Sequence, residues 1–158
     1  MLPNVQHNRG SDWLVLGGVL SALAALLHLA VIAGGPDWYR FFGAGEELAQ
    51  AAEQGSLRPV AITIAIALIL LLWAGFAWSG AGRLRRLPLL RTALVAITVI
   101  YLARGLLLIP VAINVRYREG AFDYWSSLIV LVYGIVHAIG TWLAWPAMTA
   151  ARVERRGW

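Results

Sequence analysis

The sequence contains no cysteine and no lysine, and only 13% of its residues are charged. Without cysteine the chain has no disulfide, no thiolate zinc site, no iron–sulfur cluster and no cysteine nucleophile. Soluble domains carry about 25% charged residues, whereas this chain is 60% hydrophobic and has a mean hydropathy of +0.71. The composition predicts an integral membrane protein and excludes a soluble globular enzyme.

Charge is scarce in four long apolar stretches, at about residues 13–34, 57–79, 88–110 and 124–148. Each stretch has about the 20 residues that a helix needs to cross the hydrocarbon core. The sequence therefore predicts an all-α integral membrane protein, a four-transmembrane-helix bundle that forms one domain over residues 1–158. The first stretch is longer than the ~7–15-residue core of a secretory signal and contains His28, which favours a retained helix.

Arginines in the short loops predict the orientation. The loop between the second and third stretches holds Arg83, Arg85 and Arg86 and no acid, and the C-terminal tail is also basic. The segment between the first two stretches is richer in acids than in arginines. By the positive-inside rule, both termini are cytoplasmic in a bacterial inner membrane. The net charge of +5 is therefore assigned to topology and to contact with the lipid bilayer, and no nucleic-acid partner is expected.

The first outer loop, residues 35–56, is predicted to be structured. Glycines bracket the segment 43–55, which has acids near its beginning and is typical of a short interfacial helix. The aromatic segment that precedes it is typical of chain lying in the outer leaflet. This loop is a candidate lid over the bundle, although a purely connecting role fits the same residues.

Three histidine or arginine side chains lie deep inside the predicted spans, away from their cytoplasmic and outer ends: His28, Arg104 and His137. Such groups are costly in lipid, so each needs a partner or a purpose. Tyr101 precedes Arg104 by three residues and Tyr133 precedes His137 by four, which places each pair on one helix face. Arg104 is expected to pair with a loop carboxylate, a lipid phosphate or an anionic ligand, and the loop carboxylates best placed for it are Asp37, Glu46 and Glu47.

These residues predict an outward-facing intramembrane pocket that binds a small amphiphile, lipid or quinone. The candidate ligand-binding residues are His28, Tyr101, Arg104, Tyr133, His137, Glu46, Glu47 and Asp37. A simpler structural interpretation is also open, in which the histidines donate packing hydrogen bonds and Arg104 extends to the headgroups. The sequence holds no catalytic set and no metal-ligand set, so a non-enzymatic role is favoured. A lipid-modifying activity would require Glu46 or Glu47 to reach His28.

Three other functions remain open. His28 and His137 are the minimum set for a b-type haem between two helices, although their estimated depths differ by about 9 Å. A stripe of small residues, including Gly17 and Ser21, is typical of close helix packing and suits a subunit or assembly factor with a membrane-protein partner. A transporter would require a homo-oligomer and a continuous polar path, which the sequence does not provide.

Overall fold

The computed structural model describes residues 5–106 and 121–153, and within these ranges it is all-helical, without strands. The long helices are α1, α4, α5 and α6, and two short helices lie in the connection between α1 and α4. Their bounds are α1 Ser11–Gly34, α2 Pro36–Phe41, α3 Glu46–Glu53, α4 Arg58–Gly80, α5 Leu90–Leu106 and α6 Ala121–Val153. The predicted all-α class is confirmed.

Three of these helices are long and apolar enough to cross a membrane. They are α1, α4 and the segment Tyr124–Thr149 of α6, with mean hydropathies of 2.3, 2.6 and 1.9. Their outward faces carry large apolar side chains, such as Leu26 at 58% and Leu68 at 60% exposure. An apolar surface of this extent is stable in lipid and unstable in water. The three helices therefore indicate a membrane protein and are compatible with a chain that crosses the membrane more than once.

Helix α5 covers most of the predicted third span, and residues 107–110 of that span lie outside the described residues. It packs along α6 through glycine contacts on both helices. A Cβ atom at Gly105 would lie 2.6 Å from Cα of Leu131, and one at Gly134 would lie 2.7 Å from Cδ2 of Leu102. Position numbers rise on α5 as they fall on α6, so the two helices are antiparallel.

The four long helices surround a common interior. The indole of Trp78 on α4 donates to the carbonyl of Val15 on α1 at 3.3 Å, and the rings of Trp73 on α4 and Tyr101 on α5 meet edge to face. Helix α1 also packs along α6. Each long helix therefore contacts the next in the chain, and α1 and α6 close the ring.

The connection between α1 and α4 holds two short helices, where the sequence predicted one. Helix α2 starts at Pro36, after Gly35 has turned the chain with a φ of 69° that suits glycine. Tyr39 is 2% exposed and packs with Val31 and Ala49 in a small core. The connection is thus folded onto the end of the bundle, which we call the α2–α3 end.

The opposite end is closed by the arginine-rich turn between α4 and α5, which we call the arginine turn. The Ser79 hydroxyl donates to the carbonyl of Arg85 at 2.9 Å and accepts from the amide of Leu87 at 3.0 Å. The guanidinium of Arg86 donates to the carbonyl of Met148 on α6 at 2.6 Å. These bonds hold the turn against the ends of α4 and α6.

Candidate functional site

A polar and aromatic cluster lies near the middle of the bundle. The hydroxyls of Ser21 on α1 and Tyr101 on α5 are 2.9 Å apart and share a hydrogen bond. Ser21 is 0% and Tyr101 5% exposed. The small stripe on α1 brings its backbone close to neighbouring helices, which lets the short serine side chain meet the tyrosine. We call Ser21, Tyr101, Tyr133 and His137, with the Trp73 ring, the interior cluster.

His137 is fully enclosed in this cluster, at 0% exposure, as Ser21 is. Its Nδ1 lies 2.9 Å from the carbonyl oxygen of Tyr133, one turn earlier on α6. A carbonyl only accepts, so Nδ1 carries the proton and donates. The Nε2 atom is buried and has no hydrogen-bond partner among the described residues. In the neutral ring this leaves Nε2 as an unused acceptor inside the bundle.

Aromatic rings and one glycine enclose His137. The ring centroids of Tyr101 and His137 are 5.1 Å apart, and those of Tyr101 and Tyr133 are 5.7 Å apart. Trp73 meets Tyr101 edge to face at 4.9 Å. On the α1 side, a Cβ atom at Gly17 would be 2.8 Å from Cε1 of His137. Three of the predicted site residues, Tyr101, Tyr133 and His137, are therefore together.

His28 is separate from this cluster. Its Nδ1 donates to the carbonyl of Ala24 at 2.8 Å, within its own helix. His137 is level with Gly17, and His28 follows Gly17 by eleven residues, which corresponds to about 16 Å along the axis. Two histidines that ligate one haem iron must bind it from opposite faces at short range. This separation exceeds the depth difference that the sequence predicted and does not fit a haem held by His28 and His137.

Arg104 lies one turn from Tyr101 on α5, toward the α2–α3 end. Its Nη1 donates to the hydroxyl of Ser127 on α6 at 2.9 Å. Ser127 is 4% exposed, so this bond joins an exposed arginine to the buried interface between α5 and α6. Ser127 carried no functional signal in the sequence.

The loop carboxylates bind other arginines. Arg40, at the end of α2, forms ion pairs with three acids. Its guanidinium lies 2.9 Å from Glu46, 2.8 Å from Glu53 and 3.5 Å from Asp37. Glu47 pairs with Arg58 at 2.8 Å. The structure therefore does not bring Asp37, Glu46 and Glu47 to Arg104, and the eight predicted site residues fall into separate groups. Arg40 carried no signal in the sequence beyond its position in an acidic loop.

The Arg40 ion pairs shift the titration of both partners. Hydrogen bonds to the carboxylate of Glu46, and then to Glu53, raise the pKa of Arg40 above its ordinary value. The same bond from Arg40 lowers the pKa of Glu46. These groups face water, so their attraction is screened and contributes little to stability as isolated pairs. Its structural effect is to hold α2 and α3 together.

The small-residue stripe of α1 is occupied by the chain itself. Gly17 and Ser21 are buried, the first against His137 and the second against Tyr101. The stripe therefore stabilises this bundle, and it is not an exposed surface for a partner helix. Its polar member, Ser21, belongs to the interior cluster, which the sequence pattern alone did not indicate.

Among residues 5–106 and 121–153, no three His, Asp or Glu side chains are grouped closely enough to hold a metal ion. Comparison with protein-family models, with curated proteins and with solved structures finds no match. Function is therefore inferred from the geometry of the chain.

Proposed function

We propose that this chain is a small polytopic protein of the bacterial inner membrane, a single four-helix bundle with both termini in the cytoplasm. The packing of α5 along α6 supports a fourth crossing, and the apolar residues 107–110 would extend it toward the required length. The arginine turn and the basic C-terminal tail support the orientation.

The proposed activity is the binding of a small amphiphile, of lipid or quinone type, at the interior cluster. One observation carries this proposal: the buried Nε2 of His137 has no partner among the described residues. Leaving a buried acceptor unpaired costs about 1–3 kcal/mol, and such a group in a folded protein calls for an explanation. A ligand that supplies a hydrogen-bond donor would recover this cost.

The tautomer of His137 restricts the chemistry of the ligand. Because Nδ1 donates to Tyr133, the ligand must present an O–H or N–H to Nε2. A hydroquinone or a hydroxyl-bearing lipid meets this requirement, whereas an oxidised quinone presents only carbonyl acceptors. Tyr101 and Tyr133 would flank an aromatic or apolar ligand body. Since His137 is 0% exposed, a ligand reaches it only when neighbouring side chains change rotamer.

Arg104 and Ser127 are a proposed second polar contact, nearer the α2–α3 end, for a carbonyl or anionic group of the ligand. His28 is left out because its Nδ1 bonds within its own helix. Asp37, Glu46 and Glu47 are left out because Arg40 and Arg58 bind their carboxylates.

The direct test is nitrogen NMR of the protein labelled with ¹⁵N-histidine in nanodiscs, titrated with a decyl-chain hydroquinone. The proposal expects the Nε2 resonance of His137 to move, while that of His28 stays in place. The dimethyl ether of the same hydroquinone has no donor and should move neither resonance. Equal movement with both compounds, or movement at His28 alone, would contradict the proposed site.

The alternative of a membrane-complex subunit has lost the observation that suggested it, because the Gly17 and Ser21 stripe is buried within this chain. The haem alternative has lost its histidine pair, because His28 and His137 lie too far apart along the bundle to ligate one iron. No described contact supports an oligomeric transporter over a binding protein.

A further inference from the structure

A lipid-facing cleft lies between α5 and α6, on the side of α6 next to the interior cluster and toward the arginine turn. Its volume is about 460 Å³, within the range of small-molecule sites. Its walls are mostly apolar, and they include Val95 and Val99 of α5 and Ala138, Thr141, Trp142 and Trp145 of α6. Such walls suit a hydrocarbon chain.

One polar side chain in this wall lacks a partner. Thr141 is 6% exposed, and its hydroxyl oxygen has no hydrogen-bond partner among the described residues. By contrast, the hydroxyl of Thr98 across the cleft donates to the carbonyl of Leu94 at 2.8 Å. The Thr141 side chain lines the cleft, but its unused O–H is buried within the wall. A rotation about χ1 would bring it to a carbonyl oxygen of a bound molecule.

The end of the cleft nearest the arginine turn is positively charged. The guanidinium of Arg91 stacks on the Trp145 ring, 3.9 Å from its centroid, and this ring forms part of the cleft wall. Stacking holds the guanidinium at the entrance and leaves its in-plane N–H groups available for an anion. Arg83 and Arg85 lie in the adjacent turn, which contains no acid.

The spacing of the polar groups matches the order of groups in a phospholipid. Arg91 is level with Trp145, and Thr141 precedes Trp145 by one turn of α6, about 6 Å deeper in the bundle. In a phospholipid the charged phosphate is likewise at the surface, the ester carbonyls are just below it, and the acyl chains are deepest.

We propose that this cleft binds one anionic phospholipid, with its phosphate on Arg91, an ester carbonyl on the Thr141 hydroxyl and an acyl chain along Val95, Val99 and Ala138. The site does not depend on ligand binding at His137. The charge of the entrance selects the headgroup, because each arginine near the surface attracts anionic lipid by about 1 kcal/mol. A zwitterionic phospholipid offers the same chains and the same phosphate, but the cation of its headgroup opposes this attraction.

The experiment is native mass spectrometry of the intact chain released from nanodiscs that contain equal amounts of phosphatidylglycerol and phosphatidylcholine. The wild-type protein should retain one phosphatidylglycerol in preference to phosphatidylcholine. Arg91→Ala should lower this preference about five-fold. Arg83→Ala removes the same charge from the neighbouring turn, away from the cleft, and should change the preference less than about two-fold.

Two further variants test the cleft itself. Ala138→Phe fills it and should abolish the retained lipid, and Thr141→Val keeps the side-chain shape, removes the donor and should weaken retention of both lipids about five-fold. A thermal melt in detergent confirms that each variant is folded. Equal effects of Arg91→Ala and Arg83→Ala, or retention unchanged by both Ala138→Phe and Thr141→Val, would overturn the proposal.

Discussion

The imidazole of His137 lies directly against the backbone of Gly17, so that a Cβ atom at Gly17 would stand 2.8 Å from Cε1 of the ring and 3.1 Å from both ring nitrogens. This contact joins the first and last described helices of the bundle. It also places the one histidine that is fully buried beside the Ser21–Tyr101 hydrogen bond. The interior cluster therefore requires glycine at position 17, because a side chain there would clash with the His137 ring.

Gly17→Ala should destabilise the bundle by about 1–3 kcal/mol, because the added methyl group overpacks the His137 ring. Gly75→Ala is the matched control, since a Cβ atom at Gly75 on α4 meets nothing within 4 Å. That control should change stability by no more than about 1 kcal/mol, in the stabilising direction. Unfolding by SDS titration measures both, and equal losses would show that Gly17 is not specifically constrained.

The Ser21–Tyr101 hydrogen bond should give a measurable coupling energy. In a double-mutant cycle with Ser21→Ala and Tyr101→Phe, we expect a coupling of about 0.6 kcal/mol, the average for hydrogen bonds between membrane helices, and at most about 1.7 kcal/mol. Both changes preserve most of the packing. Additive effects of the two substitutions would mean that the hydroxyls do not interact in the membrane.

Acid should loosen the α2–α3 end before it affects the bundle. Arg40 lowers the pKa of Glu46, so this ion pair contributes stability above the unfolded carboxyl pKa of about 4.3 and loses it as pH falls through the folded value. The protection factors of the α2 and α3 amides, which correct for the pH dependence of intrinsic exchange, should therefore fall below about pH 4. Glu46→Gln should give a small loss of protection in α2 and α3 already at neutral pH, because Arg40 keeps Glu53 and Asp37 as partners.

Glu47→Gln is the control for that experiment, because Glu47 pairs with Arg58 at the start of α4 and not with Arg40. It should leave the exchange of α2 near the wild-type rate. If acid affects α2 and the centre of α1 together, the Arg40 pairs do not form a separate unit.

The absence of cysteine allows a clean test of topology by single-cysteine labelling. A membrane-impermeant maleimide added to spheroplasts should label Gln54→Cys, on the exposed connection after α3, without lysis. Leu84→Cys, in the exposed arginine turn, should be labelled only after lysis. Labelling of both sites in sealed spheroplasts, or the reverse order, would contradict the proposed orientation.

The sequence predicted the membrane helices well because hydrocarbon thickness imposes their length. Helix α1 begins two residues before the predicted span at 13 and ends at the predicted residue, Gly34, and α4 is displaced by one residue at each end. The glycines and acids of the first outer loop also predicted one short helix there, but the second, over Pro36–Phe41, was missed. Proline at its first position was the available signal.

The candidate site was only partly predictable from the sequence. The direction in which a side chain points and its depth in the bundle depend on how the helices are offset along one another. The i and i+4 relation of Tyr133 and His137 is local and appears in the sequence. By contrast, the offset of about 16 Å along the bundle between His28 and His137 depends on the register of α1 against α6. Likewise, the preference of Glu46 for Arg40 over Arg104 depends on the fold of the loop, which charge counts do not contain.

We propose that His137 is a ligand acceptor and that His28 is not, so substitution of His137 alone should release the bound molecule. Native mass spectrometry of protein extracted from its membrane in mild detergent compares wild type, His137→Gln and His28→Gln, two substitutions of histidines that make the same hydrogen bond to their own helix. We predict one defined small-molecule adduct on wild type and His28→Gln, reduced about ten-fold on His137→Gln. An adduct carried equally by all three proteins, or no adduct on the wild type, would contradict the account.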